Sequence, residues 1–264
     1  MLWAAALLVL AVHARPVLAV ELTRMRALAS DALAPPADGP GWIEVALPGP
    51  VAPPPGLGSV GAAWYRGSFQ GPASSERSGT WAVYLPYLYE GGQVWLNGTQ
   101  VGEVEEDSDA FRVRWERPHL VTLPQNLLRA GDNELSIRAA GTSTPQSRRF
   151  PAVSVAPRAE LLSAYDARLF WVRTAPLITV VVCFLMAAIV LCIWWRRRSE
   201  VLYGLFGLAS ALWGVRTLTF VIERMPTPYW HLWRTVYLGA TCGFVVVLAP
   251  VSYTHLTLPT NREV

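Results

Sequence analysis

Cysteine is missing from all of residues 20–160; the three in the chain, Cys183, Cys192 and Cys242, fall inside apolar runs. Disulfides and cysteine-based metal sites are thereby excluded from that region. At about 140 residues it is long enough to bury a core without such staples. Histidine is scarce, and His13, His119, His231 and His255 show no ligand spacing, so neither a metal nor a cofactor is expected. A net charge of +3 is too small to argue for nucleic acid, and no basic tract has the density or aromatic interleaving that such binding requires. Nucleophile elbows, phosphate loops and zincin motifs do not occur. No catalytic residue is therefore named.

What the chain has is a sharp internal division. Its mean hydropathy of +0.29 averages a mixed, soluble composition before about Arg173 with a largely apolar remainder. The apolar stretch Leu2–Val12, followed by Val17-Leu18-Ala19, has the length and small-residue ending of an export signal, giving 1–19 as signal peptide with cleavage after Ala19. It is too short to span a bilayer, which takes about 20 apolar residues. No Lys or Arg precedes it, so either the n-region relies on the terminal amine or the true start lies elsewhere. An ordinary buried helix is the rival reading.

Over residues 20–160 the period is two. Phe111-Arg112-Val113-Arg114-Trp115-Glu116 and Glu134-Leu135-Ser136-Ile137-Arg138 alternate as half-buried strands do. Asn97-Gly98 between Val94-Trp95-Leu96 and Thr99-Gln100-Val101 signals a hairpin. Thr80–Leu85 is a near-continuous apolar run, suited to a strand covered on both faces. Gly131-Asp132-Asn133 marks another turn. Short strands between turns indicate an antiparallel sandwich.

Three motifs carry a family resemblance over about residues 40–140. They are Ala63-Trp64-Tyr65-Arg66-Gly67-Ser68-Phe69, Val94-Trp95-Leu96-Asn97-Gly98, and Leu128-Arg129-Ala130-Gly131-Asp132-Asn133-Glu134-Leu135. In that order they resemble the jelly-roll module, galactose-binding-like in fold, attached to many glycoside hydrolases. The expected fold class is thus an all-β antiparallel jelly-roll sandwich followed by an α-helical transmembrane region. The aromatics Trp64, Tyr65, Trp81, Tyr84, Tyr87, Tyr89, Trp95 and Trp115 have two readings, core packing or stacking on sugar. Tyr87, Tyr89 and Glu90 are the candidate ligand-binding residues, because Pro86 and Gly91-Gly92 place them in a loop, where binding residues concentrate. The acidic run Glu103 to Asp109 reads as a solvated loop, with a calcium site as the alternative. Two carboxylates set across a cleft, as glycoside hydrolysis needs, are not indicated.

Leu177–Trp195, nineteen residues without a charge, reads as transmembrane helix 1 (177–195), after a juxtamembrane linker at 161–176. Arg196, Arg197 and Arg198 follow at once and set topology, since such clusters stay cytoplasmic. Helix 2 is 201–222. Residues 233–250 read as a shortened helix 3, because Thr235–Ala249 covers only about 22 Å of a roughly 30 Å hydrocarbon core. Arg216 and Glu223 are intramembrane polar residues on one helix face, functional candidates by default. The alternative is structural, with the Arg216 stem snorkelling to the interface. Residues 20–176 are expected to be periplasmic and the protein to sit, multi-pass, in a bacterial inner membrane.

The run Arg196-Arg197-Arg198-Ser199-Glu200-Val201-Leu202-Tyr203-Gly204-Leu205-Phe206-Gly207-Leu208, behind an exported jelly roll, is similar to bacterial seven-transmembrane receptors with diverse intracellular signalling modules. That resemblance implies a sensor of a periplasmic small molecule or carbohydrate, coupled to a histidine kinase or diguanylate cyclase that this chain lacks. A homodimer and the lipid bilayer are the other expected partners. Two rivals stand beside it: a membrane-anchored carbohydrate-binding accessory protein without signalling output, and a transporter or assembly subunit. The end of the chain, 251–264, resembles translated sequencing adapter. The read GTC-TCT-TAT-ACA-CAT-CTG-ACG-CTG-CCG-ACG encodes Val251 to Thr260 in order. On that reading Pro250 is doubtful and the polar tail does not continue helix 3; a genuine cytoplasmic tail is the alternative.

Overall fold

The computed structural model describes residues 19–50, 62–72, 79–88, 91–104, 110–112, 117–140, 149–222 and 224–256. They fall into two compact units. The first draws on Met1–Pro86, Gly92–Val104 and His119–Tyr165, and the second on Tyr87–Gly91, Glu105–Pro118 and Asp166–Val264.

The first unit is mostly β, in two main antiparallel sheets. In chain order its strands are β1 (Val20–Leu22), β2 (Arg24–Ala29), β3 (Ile43–Ala46), β4 (Gly49–Pro50), β5 (Ala62–Gly71), β6 (Trp81–Leu85), β7 (Gly92–Leu96) and β8 (Thr99–Val104). After β9, which belongs to the second unit, follow β10 (His119–Leu123), β11 (Gly131–Ala140), β12 (Arg149–Phe150) and β13 (Val153–Pro157). One sheet runs β1-β13-β6-β10 and the other β3-β2-β5-β11-β7-β8, while β12 pairs with β4.

Period-two alternation explains the core. Along β5 and β11, Tyr65, Phe69, Leu135 and Ile137 point one way and are buried, joined by Val94 and Leu96 of β7 and Met25 of β2. Tyr65 stacks on Phe150, ring centroids 3.6 Å apart. Burial in this apolar setting pushes the Tyr65 phenol well above its ordinary range. The Asn97-Gly98 hairpin forms as its sequence requires: both residues have positive φ, 50° and 83°, the pattern of a type I′ turn.

Strand β6 shows why its sequence is apolar throughout. Val83 and Leu85 are buried, and so are Ala82 and Tyr84, which pack with Ala156 and Leu161. Leu161 and its partly buried companion Tyr165 lie on helix α1 (Arg158–Leu169). The expected juxtamembrane linker at 161–176 is thus helical. A π-helical turn at Phe170–Thr174 follows, and the helical run continues without a break from Arg158 to Arg196. Pro176 accounts for the π turn, since a proline ring clashes with the carbonyl four residues back and offers no N–H. The Ala175 N–H bonds instead to the Phe170 carbonyl, five residues away.

The second unit contains α2 (Ala175–Arg196), α3 (Val201–Val221) and α4 (Thr227–Leu256). Arg158–Arg196, Val201–Val221 and Pro228–Ala249 are each long and apolar enough to cross a membrane. Small residues let α2 and α3 approach closely. A Cβ on Gly207 would come within 2.7 Å of Leu191, and one on Gly214 within 3.3 Å of Cys183 and Phe184.

Two expectations about the third span are corrected. The helix starts at Thr227, not near 233, so the span-capable stretch is 22 residues and about 33 Å long at 1.5 Å per residue. Pro228 sits in the first turn, where a missing N–H costs nothing. The helix also runs through Val251–Leu256, because polarity alone does not end a helix and the next proline is Pro259; residues 257–264 lie outside the described residues. The strand expected at Phe111–Glu116 is described only as β9 (Ala110–Arg112). It pairs not with the sandwich but with β14 (Arg224–Pro226), ahead of α4. Alternation specifies a strand and leaves its partner open.

Candidate polar cleft on the sandwich

The outer face of the six-stranded sheet carries the polar half of the alternation. Cross-strand register lines up Arg26, Arg66, Ser136 and Trp95 in one row, and Leu28, Trp64, Arg138 and Gln93 in the next. This face is not bare. Residues 30–42, between β2 and β3, form a strap across it, pinned by side chains of β5. Trp64 Nε1 donates to the Ala32 carbonyl at 3.1 Å, and its ring is fully buried. Arg66 donates through Nη1 to Asp38 at 2.9 Å and through Nη2 to the Pro36 carbonyl. Its Nε faces Glu134 Oε1 at 3.5 Å, an ion pair without hydrogen-bond geometry. Trp42 of the strap lies 4.5 Å from the Arg66 guanidinium and 5.7 Å from that of Arg26, which also pairs with Asp38 at 3.0 Å.

Beside the strap opens a cleft of about 480 Å³, whose walls include Arg24, Glu44, Ser68, Arg129, Asp132 and Glu134. Cations, carboxylates and a hydroxyl alternate around it; Arg24 and Glu44 stand 4.0 Å apart and Gln70 Nε2 donates to Asp132. Such a lining offers donors and acceptors together, which suits a polyhydroxylated or zwitterionic ligand.

The floor of the cleft is rigid for a reason that lies in two motifs. Asn133 is buried and all four of its hydrogen-bonding positions are used. Oδ1 accepts from the Arg129 N–H at 2.8 Å and from Asn97 Nδ2 at 3.0 Å, while Nδ2 donates to the carbonyls of Arg129 (2.8 Å) and Gly131 (2.9 Å). Asn97 in turn accepts from the Glu134 N–H at 2.9 Å and donates to the Leu127 carbonyl at 2.8 Å. The Asn-Gly hairpin and the Gly-Asp-Asn turn are thus locked together, and the lock holds Arg129, Asp132 and Glu134 in place.

None of the candidate site residues named from the sequence lines this cleft, although the three motifs that carry the family resemblance supply eight of its lining residues, Arg66, Ser68, Asn97 and Asn133 among them. Tyr87 is half-buried outside any regular element, with the Arg168 guanidinium 5.8 Å from its ring. Tyr89, Glu90 and Glu223 lie outside the described residues. Arg196 ends α2, Arg197 caps it, and Arg198 stacks on Trp194 and Trp195 at 4.8 and 4.3 Å; all three are exposed. Arg216 lies on α3 with its guanidinium 4.7 Å from the Trp213 ring. Of the aromatics, Trp64, Tyr65 and Tyr84 are buried, Trp81, Tyr87 and Trp95 are half-buried, and Tyr89 and Trp115 are not described. Asp38 and Trp42 were not singled out, and Arg66, Asn97 and Asn133 were named only as parts of fold motifs. Arg66 had a visible signal, a charge in a strand of buried aromatics, but the strap that explains it is a tertiary contact. Among the described residues no three His, Cys, Asp or Glu side chains converge as metal ligands.

No family model matches the chain, and no curated protein matches its sequence. Among solved structures it is similar to a GH2 β-galacturonidase from Eisenbergiella tayi bound to glycerol, at 17% identity over 52% of this chain and 24% of that one, TM-score 0.35. It is also similar to a glycosyl hydrolase family 2 member from Bacteroides cellulosilyticus (16% identity, 52% and 20% covered, TM-score 0.40). A third is the β-glucuronidase of Bifidobacterium dentium complexed with coumarin-3-O-glucuronide (19% identity, 47% and 20% covered, TM-score 0.37). The chain spans about a quarter or less of the length of each.

Proposed function

We propose that the chain is the sensing and membrane portion of a bacterial signal-transduction receptor of the seven-transmembrane type with diverse intracellular signalling modules. Its galactose-binding-like jelly roll stands in the periplasm and binds a small polar ligand, a carbohydrate first of all, in the cleft beside the strap. The helices carry the change inward to an output domain of kinase or cyclase type, and this chain itself performs no chemistry. The observation that carries the reading is the helical run from Arg158 to Arg196. It starts directly after β13, lays Leu161 and Tyr165 on the sheet, and contains the first span-capable segment. A helical connection is a route for a displacement that a loop would absorb. The topology follows from the Arg196–Arg198 cluster, which is retained inside.

The accessory-protein alternative expects a single anchor, whereas three segments here are long and apolar enough to span. The test is a glycan and small-metabolite screen against the full chain in nanodiscs, repeated with Glu44→Ala/Arg129→Ala. Selective binding weakened at least about tenfold by the double substitution, the worth of roughly one charged hydrogen bond, supports the proposal. Absence of any selective ligand, or binding indifferent to the cleft, refutes it.

A further inference from the structure

The second unit contains a cleft of about 490 Å³ between the start of α2 and the end of α3, whose walls include Trp171, Ala175, Pro176, Trp213, Arg216 and Phe220. Its lining is mostly apolar and Arg216 is the one charged group in it. Arg216 sits five residues before the end of α3, about 7–8 Å along the axis. A guanidinium at that depth in a span is costly unless it meets an anion or water. The neighbouring hydroxyls are neutral and give their protons to backbone carbonyls, Thr179 Oγ1 to Ala175 at 2.9 Å and Thr217 Oγ1 to Trp213 at 2.8 Å, so even as acceptors they supply no countercharge. Trp213 holds one face of the guanidinium at 4.7 Å. Stacking leaves the in-plane N–H groups, arranged as a fork that fits phosphate oxygens, for another acceptor. The π turn before Pro176 shapes the opposite wall, and exposed Trp171 within it is the kind of aromatic that settles at headgroup level.

We infer that this cleft binds the headgroup of one anionic phospholipid, with the phosphate on Arg216 and the acyl chains running out along the helices. The volume lies within the roughly 300–1,000 Å³ of pockets that hold a small molecule, enough for a glycerophosphate headgroup. Charge complementarity selects an anion, and an apolar lining at the end of a span-capable helix selects a lipid over a soluble one. The inference rests on α2 and α3 crossing a bilayer and is independent of the sandwich's ligand.

The test is native mass spectrometry of the full chain in neutral detergent with equimolar phosphatidylglycerol and phosphatidylcholine. One phosphatidylglycerol should be retained per chain, in about tenfold excess over phosphatidylcholine, as one charge-assisted contact implies. Arg216→Gln should abolish the excess and Arg216→Lys should keep part of it. Ala175→Leu, which fills the cleft and spares the charge, should also abolish it. Arg197→Gln/Arg198→Gln, at the other end of α2, should leave it intact. Equal retention of the two lipids by the wild-type chain overturns the inference without any variant needing to fold. So does retention that follows Arg197 and Arg198, or displacement of the lipid by inorganic phosphate at equal concentration.

Discussion

Removing the Asn133 side chain should loosen the sandwich where the two turn motifs meet. Asn133→Ala leaves the Arg129 N–H and the carbonyls of Arg129 and Gly131 without their partner, and takes one acceptor from Asn97. A buried polar group left unpaired costs about 1–3 kcal/mol. Arg129 is exposed and Gly131 half-buried, so water recovers part of that, and a net loss of about 3 kcal/mol is expected. Hydrogen–deuterium exchange of the full chain in detergent reads this directly, in peptides covering 92–97 and 131–139. Loss of about 3 kcal/mol raises exchange through local opening roughly a hundredfold. Asn133→Asp is the sharper variant. A carboxylate there turns two donors into a second acceptor facing two carbonyls, so it should be destabilising at neutral pH. Burial and the two carbonyls favour its protonated form, so as pH falls toward the ordinary carboxylate range protonation restores one donor and part of the protection. Exchange in Asn133→Ala within about threefold of wild type, under the 1.4 kcal/mol that makes a tenfold change, would refute the account of the lock.

Gly71→Ala should have a comparable effect on the same peptides, since a methyl there collides with the Arg129 carbonyl and the Asn133 amide. Asp38→Ala removes the shared partner of Arg26 and Arg66 and should raise thermolysin cleavage within 30–42; because Asp38 is 66% exposed, the destabilisation is about 1 kcal/mol and not more. Tyr65 should make the sandwich alkali-sensitive. Its folded phenol holds its proton at pH values where the unfolded one has lost it, so stability is flat below about pH 10 and falls above it. Tyr65→Phe should abolish that slope in denaturant titrations followed by circular dichroism.

How far these features could be read from the residues varied with their range. Period-two alternation indicated β11 and Asn97-Gly98 indicated β7 and β8, because strand pleat and turn chirality are local properties, whereas β5 was marked only by the motif resemblance at Ala63–Phe69. The apolar run of β6 announced burial on both faces, although not that helix α1 supplies one cover. Apolar length marked the spans, yet the third, read from 233, opens earlier, at Thr227 with Pro228 in its first turn. The cleft was out of reach. Its walls come from β2, β3, β5, the Asn97 turn and β11, whose adjacency is a matter of sheet order, and its roof edge is a strap held by Arg66. The loop aromatics drew attention through residue type and the flanking Pro86 and Gly91-Gly92, and Tyr87 turns out to face Arg168.

Both the sensor reading and the lipid site depend on where the chain lies across the bilayer. That is tested most directly by labelling intact cells with a membrane-impermeant maleimide. One variant is Ser68→Cys, exposed in the cleft of the first unit; the other is Ser199→Cys, in the turn after Arg198; the wild-type chain, with Cys183, Cys192 and Cys242 inside the spans, is the background. With the outer membrane permeabilised and the inner membrane intact, position 68 should label and position 199 should not, reacting only after lysis. Labelling of position 199 in intact spheroplasts, or protection of position 68, would contradict the account.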